Sequence, residues 1–152
     1  MDLQRLSDHT DIVNLMNRYA LGVDLRDWSL YRSCFEDQFV LDAPGWPAAM
    51  GADEWVDIVR GGILNYEATQ HQMSNHSVEV DGHHAECITY VRAVHHQPKV
   101  TGDPRWVLVG YYQLGLFRAG PGVWKIAKFN LTTLWNEGNV SLMELGPQPP
   151  SR

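Results

Sequence analysis

The second half of the chain consists of long strand-like segments joined by tight turns, and this pattern restricts the possible folds more than any other feature. HQMSNHSVEV and AECITYVRAVHHQ flank Asp81-Gly82, a dipeptide typical of β-hairpins. WVLVGYYQLGLFRA and VWKIAKFNLTTLW flank the turn sequence at 120–122, Gly-Pro-Gly. Because strands joined by such short turns are antiparallel, we predict a long antiparallel meander.

The first half of the chain has the periodicity of helices. Apolar residues recur at helical spacing from Ile12 to Val23, and Ser7 is expected to cap this helix at its N-terminus. Asp27 indicates the start of a second, short helix, and GADEWVDIVRGGILNY predicts a third. Helices followed by a meander are typical of an α+β fold in which the helices cover one face of a curved sheet. Such a sheet forms a cone, and its open end is a natural small-molecule pocket.

The composition fits one globular domain that binds neither nucleic acid nor membranes. The chain has 152 residues, of which 44% are hydrophobic and 20% charged, enough for a single domain with a real core. The net charge is −6 and no cluster of Lys or Arg occurs, which argues against anionic partners. We predict one domain over 5–140 and a flexible tail over 141–152. Aromatic residues expected on the outer sheet face suggest a homo-oligomer, a dimer or trimer.

Sequence motifs indicate a cytoplasmic protein without a metal or cofactor. Cys34 and Cys87 have neither metal-type spacing nor a disulfide framework, so we expect two buried thiols in a reducing compartment. The first residues lack the apolar core of a signal peptide, and no apolar run approaches the roughly 20 residues of a membrane span. The motifs HxxxH, HxH, CxxC, GxSxG, GxGxxG and the P-loop are all absent. The kind of catalysis that remains possible is acid–base chemistry by side chains alone.

Three polar positions are candidates for a site inside the cone. Asp24 falls at the margin of the apolar helix stripe, so it points toward the space between helix and sheet unless it is solvated at the helix end. Strand alternation sends His95 and His96 to opposite faces. The small-residue face of His95 is favoured as the cavity side, although both histidines could be exposed at a strand end. Gln113 interrupts an apolar face and could reach the same space or bond to the backbone.

Four segments resemble sequences of the nuclear transport factor 2-like superfamily and its SnoaL-like domains, namely YALGVDLRDWSLY, TQHQ, VRAVHH and GVWKIAKFN. The members of that superfamily have a cone-shaped, cystatin-like fold. The resemblance covers residues 5–136 and is strongest to the dehydratase branch, with scytalone dehydratase, hexachlorocyclohexane dehydrochlorinase and bile-acid dehydratase. In that branch an Asp at a helix end and a His on the sheet form the proton-abstracting pair. The resemblance places Asp24 and His71 at these positions. Taken alone, His71 is more simply explained as an ordinary core or surface histidine.

The resemblance also implies three side chains that bind substrate oxygen or protonate a leaving hydroxyl. His95 matches a second catalytic histidine, and Gln113 matches a polar amide on a later strand. Tyr19 matches a tyrosine that precedes the aspartate by five residues.

The sequence departs from the family pattern at three positions. Val23 and Ala43 stand where scytalone dehydratase has two tyrosines that hold a water. Leu134 or a neighbouring threonine stands where other members have a basic residue. The group that assists the leaving group is therefore left open.

These expectations give the hypothesis of a cofactor-independent lyase of dehydratase type. Asp24 and His71 would remove a carbon-bound proton from a cyclic, mostly apolar small molecule. A polyketide cyclase or an isomerase of the same fold would use similar groups on an enolisable carbonyl. A non-catalytic small-ligand binding or scaffold module would have no need of the pair. The fold alone does not decide between them.

Overall fold

The structure, a computed structural model, describes residues 2–151. The helices and strands follow one another along the chain as α1 (Leu3–Asp24), α2 (Trp28–Ser33), β1 (Phe35–Leu41), β2 (Ala49–Gly51), α3 (Ala52–Ile63), β3 (Ala68–Asp81), β4 (His84–His96), β5 (Arg105–Gly120) and β6 (Val123–Gly138). A 3-10 helix follows at Val140–Leu145. The three predicted N-terminal helices and the α+β class are confirmed.

The six strands form one curved, unclosed sheet in the order β2-β1-β6-β5-β4-β3. The hairpins β3–β4 and β5–β6 are antiparallel, as predicted, and their turns contain Gly82 and Gly122 with φ of +61° and +67°. Glycine adopts this left-handed conformation without steric cost. One pairing departs from the predicted antiparallel sheet, because β1 lies parallel to β6. β1 comes from the helical half of the chain, and no local turn fixes its direction.

Helix α1 lies against the concave face of the sheet and contacts β3 and β6. Its predicted apolar stripe is buried throughout, at Ile12, Leu15, Met16, Tyr19, Ala20 and Val23. Gly22 sits where α2 crosses α1, and a Cβ at this position would come within 2.7 Å of the Tyr31 backbone nitrogen. The absence of a side chain there lets the two helices approach closely.

The start of α1 differs from the prediction, because Asp2 and not Ser7 is the N-cap. The Asp2 side chain accepts a hydrogen bond from the Gln4 backbone nitrogen, so the helix begins more than one turn earlier than expected. Asp8 is therefore inside the helix and only 2% exposed. Its two carboxylate oxygens accept hydrogen bonds of 2.6 and 2.9 Å from Arg118 of β5. This ion pair fastens the first turns of α1 to the β5–β6 hairpin.

The segment after β6 is packed against the domain over its first residues. Leu142 is buried, and its carbonyl oxygen accepts a hydrogen bond of 2.7 Å from the Tyr66 hydroxyl. Pro147 lies so close to Gly62 of α3 that a Cβ on Gly62 would collide with the proline backbone. The core therefore extends past the boundary predicted at residue 140. The flexibility of 141–152 stays a prediction, and its last residue lies outside the described range.

The outer face of the sheet exposes large apolar side chains. Ile88, Tyr90, Phe117 and Trp135 are between 37% and 53% exposed. The homo-oligomer predicted from this face stays a prediction. Between residues 2 and 151, no helix is long and apolar enough to cross a membrane. Cys34 and Cys87 are both buried and free, as expected.

We predict that Asp8→Asn lowers the free energy of unfolding by about 3 kcal/mol, because it leaves Arg118 without its buried counter-charge. The hydrogen bond from Arg118 lowers the pKa of Asp8 by more than burial raises it. The stabilisation is therefore present above the pKa of an unfolded Asp, about 3.9, and is lost as the pH falls through the lower folded-state pKa. Urea unfolding at pH 7 and at about pH 2 measures both effects.

Asp57→Asn is the matched control, since Asp57 is exposed on α3. This variant should change the free energy of unfolding by no more than about 0.5 kcal/mol. An equally small effect of Asp8→Asn at pH 7 would contradict the structural role of the ion pair.

Candidate active site

Asp24 and His71 are in direct contact. Asp24 is the last residue of α1, and His71 faces it from β3. One carboxylate oxygen lies 2.7 Å from His71 Nδ1, and the other accepts a hydrogen bond of 2.7 Å from the His71 backbone nitrogen. The two side chains are 15% and 8% exposed. The carboxylate therefore holds both the ring and the main chain of the histidine.

Two further residues hold the Asp24 carboxylate in place. Thr69 Oγ1 donates a hydrogen bond of 3.0 Å to Asp24 Oδ1. Arg26 Nη1 in turn donates to Thr69 Oγ1 at 2.7 Å and to the Val23 carbonyl oxygen at 2.9 Å. Arg26 has φ of 59°, a left-handed conformation that is uncommon outside glycine.

Sequence reasoning missed both Arg26 and Thr69. A signal for Thr69 was available, since residues two apart on a strand share a face and Thr69 is two residues from His71. Arg26 had no such signal, because its direction depends on the turn between α1 and α2.

The environment of Asp24 favours its ionised form. Burial raises its pKa, but hydrogen bonds and charge from His71, together with the Thr69 hydroxyl, lower it further, so the pKa ends below its usual value. An ionised carboxylate at Nδ1 fixes the tautomer with the proton on Nδ1. In that tautomer the lone pair is on Nε2, which makes no hydrogen bond to any residue in 2–151.

The structure places His95 inside and His96 outside, as predicted. His95 is 5% exposed and stacks on Trp106, with ring centroids 4.1 Å apart. Its ring centroid lies 6.0 Å from that of His71. Burial, and then the charge of His71, lower the pKa of His95 to about 4. His95 is therefore neutral at pH 7, and its Nδ1 has no hydrogen-bond partner in the described part of the chain.

His71 and His95 line a cavity of about 360 Å³ between the helices and the concave face of the sheet. Most of the other lining side chains are apolar or aromatic: Val23, Leu41, Ala43, Trp46, Trp55, Val59, Ile63, Ala93, Trp106, Leu108, Phe129, Leu131, Met143 and Pro147. The remaining polar groups are three tyrosines and Thr133. Met143 and Pro147 come from the segment predicted as a tail. None of the lining side chains is a Lys or an Arg.

Gln113 lies on the outer face of the sheet, which corrects the prediction that it reaches the cavity. It is exposed, and its neighbour Tyr112 points inward instead. The strand carries apolar residues on both faces, so apolar content alone did not reveal which face is inside. The polar side chain of Gln113 in fact marks the outer face.

Tyr19 lines the cavity, and its hydroxyl lies 3.4 Å from the Tyr112 hydroxyl. Its role in binding substrate stays a prediction. Val23 and Ala43 also line it, so the departures from the family pattern do fall within this site. At the position of the missing basic residue, Thr133 faces the cavity and Leu134 is 55% exposed.

No group of three or more His, Cys, Asp or Glu within residues 2–151 is arranged to hold a metal ion. A larger depression of about 650 Å³ lies on the outer sheet face near Glu79 and Lys128. It is open and contains none of the predicted site residues. The cavity with His71 is therefore the candidate active site.

The fold and the site together define a class: a nuclear transport factor 2-like cone with a buried Asp–His pair beside an apolar cavity. A family model described as a SnoaL-like domain matches residues 4–130, and the chain belongs to this family. The family predicted from the sequence is confirmed. The comparison with curated proteins gives no match.

Several solved structures share the fold. The Kfla4162 protein from Kribbella flavida is 26% identical, with 94% of this chain and 99% of that chain covered and a TM-score of 0.82. A proposed scytalone dehydratase from Novosphingobium aromaticivorans is 24% identical, with 90% and 91% covered and a TM-score of 0.79. A hexachlorocyclohexane dehydrochlorinase, LinA type 2, is 22% identical, with 91% and 93% covered and a TM-score of 0.77.

We predict that Thr69→Val raises the pKa of Asp24, because it removes one of the hydrogen bonds that stabilise the carboxylate. A carboxyl-carbon NMR titration of the folded protein measures this shift without a substrate. Thr133→Val, at a residue that lines the cavity without contacting Asp24, should leave the titration unchanged. An unchanged Asp24 titration in Thr69→Val would mean that Thr69 does not hold the carboxylate.

Proposed function

We propose that the protein is a cofactor-independent lyase that eliminates a hydroxyl or a similar group from a cyclic, mostly apolar small molecule. The 2.7 Å contact between the Asp24 carboxylate and His71 Nδ1, beside an apolar cavity, carries the proposal. Two solved structures of the same fold support it, since one is named as a proposed dehydratase and the other as a dehydrochlorinase.

In this proposal His71 is the general base. Its Nε2 accepts the proton of a substrate C–H bond, and the imidazolium that forms is stabilised by the ionised carboxylate of Asp24. The electrons of that bond form a carbon–carbon double bond as the neighbouring carbon–oxygen bond breaks. The departing hydroxide takes the proton from His71, so water leaves and the base is regenerated. The fixed position of Asp24 means that little reorganisation is needed when charge develops.

His95, in its neutral form, is positioned to assist the same reaction. With its pKa near 4, the ring carries one N–H and one lone pair at neutral pH. A neutral N–H binds a substrate oxygen without adding a positive charge that would repel the imidazolium of His71. His95 lines the cavity, and its buried Nδ1 has no hydrogen-bond partner within residues 2–151.

We expect His71→Ala to reduce the rate by about 10²–10⁴-fold, because it removes the general base. Asp24→Asn should cause a similarly large loss, since it removes the charge that stabilises the imidazolium. The double variant should be little worse than either single variant, because residues that act as one unit are not additive. Mass spectrometry can follow water loss from a panel of ring compounds that carry a hydroxyl next to an acidic C–H.

His96→Ala is the matched control, since His96 lies on the same strand but points away from the cavity. It should keep the wild-type rate. Near wild-type turnover by a folded His71→Ala, Asp24→Asn double variant would exclude the pair as the catalytic group and leave a ligand-binding role.

The pH profile provides a separate prediction. A general base acts only in its unprotonated form, so kcat/KM should fall on acidification. Above about pH 5, His95 is already neutral because its pKa is about 4. Asp24 is ionised in the same range because its pKa lies below the usual value. Neither group therefore changes its protonation state above about pH 5, so the acid limb in that range should have a slope of one. A slope of two would mean that a second group must also lose a proton.

A further inference from the structure

Arg26 is a half-buried cation beside the proposed catalytic pair, and the proposed proton transfer gives it no role. It lies in the turn between α1 and α2, two residues after Asp24. Its φ of 59° is a left-handed conformation, which is unfavourable for a residue with a side chain. Such a conformation persists only where the surrounding structure holds the residue in place. The contacts of Arg26 therefore require an explanation.

The guanidinium group of Arg26 joins the end of α1 to the start of β3. Nη1 donates a hydrogen bond of 2.9 Å to the Val23 carbonyl oxygen and one of 2.7 Å to Thr69 Oγ1. Nη2 donates at 3.5 Å to the Tyr66 carbonyl oxygen. Arg26 therefore contacts both the helix that ends in Asp24 and the strand that carries His71.

The hydrogen bonds that lead from Arg26 to Asp24 run in one direction. A guanidinium group has donors and no acceptor, so the Thr69 hydroxyl oxygen accepts from Arg26. The single proton of this hydroxyl is then free to be donated to Asp24 Oδ1, which lies 3.0 Å away. Arg26 thus orients the Thr69 hydroxyl toward the carboxylate.

The positive charge of Arg26 also lies close to the carboxylate. The two hydrogen bonds that share Thr69 Oγ1 place Nη1 within about 6 Å of Asp24 Oδ1. An opposite charge at this distance favours the ionised form of an acid. The interaction is mutual, since burial lowers the pKa of Arg26 and the charge of Asp24 raises it. Arginine keeps its proton at every pH at which the protein is folded.

This charge matters most before the proposed proton transfer, when the His71 ring is neutral. Asp24 is the last residue of α1, at the negative end of the helix dipole. The other titratable groups in the cavity are neutral at pH 7, namely His95, Tyr19, Tyr31 and Tyr112. Burial lowers the pKa of the histidine to about 4 and raises those of the tyrosines. Within residues 2–151, Arg26 is then the cation that compensates the carboxylate.

We infer that Arg26 is a positioning residue for the proposed reaction, because it orients the Asp24 carboxylate through Thr69 and compensates its charge while His71 is neutral. The inference rests on the proposed function, since it explains how the pair is kept ready to accept a proton. Arg26 does not line the cavity, so it acts through Asp24 and not on the substrate. Without Arg26, the carboxylate would take up a proton more readily, and a protonated Asp24 could not stabilise the imidazolium.

A carboxyl-carbon NMR titration of Asp24 in Arg26→Met tests the inference without a substrate. Methionine removes the charge and the donors but keeps an unbranched side chain, so the midpoint of the Asp24 titration should rise by about one pH unit. Arg26→Lys keeps the positive charge and should reverse most of this rise. Arg5→Met is the matched control, because Arg5 is exposed on the same helix, about 28 Å from Asp24. It should leave the titration unchanged.

The same variants provide a kinetic test once a substrate is known. Arg26→Met should lower kcat about tenfold, because the carboxylate is less well oriented and less often ionised. KM should stay nearly unchanged, since Arg26 does not line the cavity. Arg26→Lys should recover most of the lost rate.

An unchanged Asp24 titration in Arg26→Met would overturn the inference. A rise that Arg26→Lys does not reverse would also overturn it, because the charge would then have no part in the effect. Arg26→Gly serves as a second variant if Arg26→Met does not fold, since glycine adopts a φ of 59° without strain. The titration needs no turnover, so the expected rise in a protein that converts no substrate would contradict the proposed lyase and not the role of Arg26 at Asp24.

Discussion

The buried carboxylate of Asp24 is the interaction on which the rest of the structure depends. A carboxylate in an apolar cone is unfavourable unless it is fully hydrogen-bonded. Here it accepts from the His71 ring, the His71 backbone and Thr69, and these contacts join the end of α1 to β3. The same bonds that stabilise the charge therefore set the distance between helix and sheet. They also orient the histidine toward the cavity.

The cavity combines two kinds of polar group that differ in what they can do with a proton. The Asp24–His71 pair can accept one, because the carboxylate compensates the positive charge that results. The hydroxyls of Tyr19, Tyr31 and Tyr112 cannot act as bases at neutral pH, because burial raises their pKa values. Between them the walls are apolar, so a bound ring is positioned by few polar contacts. Such a division fits the proposed substrate, which has an acidic C–H bond near His71.

The departures from the family pattern change which polar groups line the cavity. Val23 and Ala43 replace two polar positions with apolar walls, and Thr133 faces the cavity where other members have a basic residue. The site has thus lost groups that would bind an oxygen at those places. Tyr31 and Tyr112 supply hydroxyls from different elements. We expect this chain to hold its substrate in another orientation than scytalone dehydratase does.

The sequence by itself determined the hairpins, the buried stripe of α1 and the inward side of His95. Each of these follows from a local pattern: a turn dipeptide, a helical repeat, or a strand whose two faces differ in residue size. The family resemblance gave the pairing of Asp24 with His71. Only the tertiary structure decided the outward direction of Gln113, the burial of Asp8 against Arg118, the parallel pairing of β1 and the meeting of three tyrosines. These features depend on contacts between residues far apart in the chain, and no local pattern encodes which distant partner a side chain will meet.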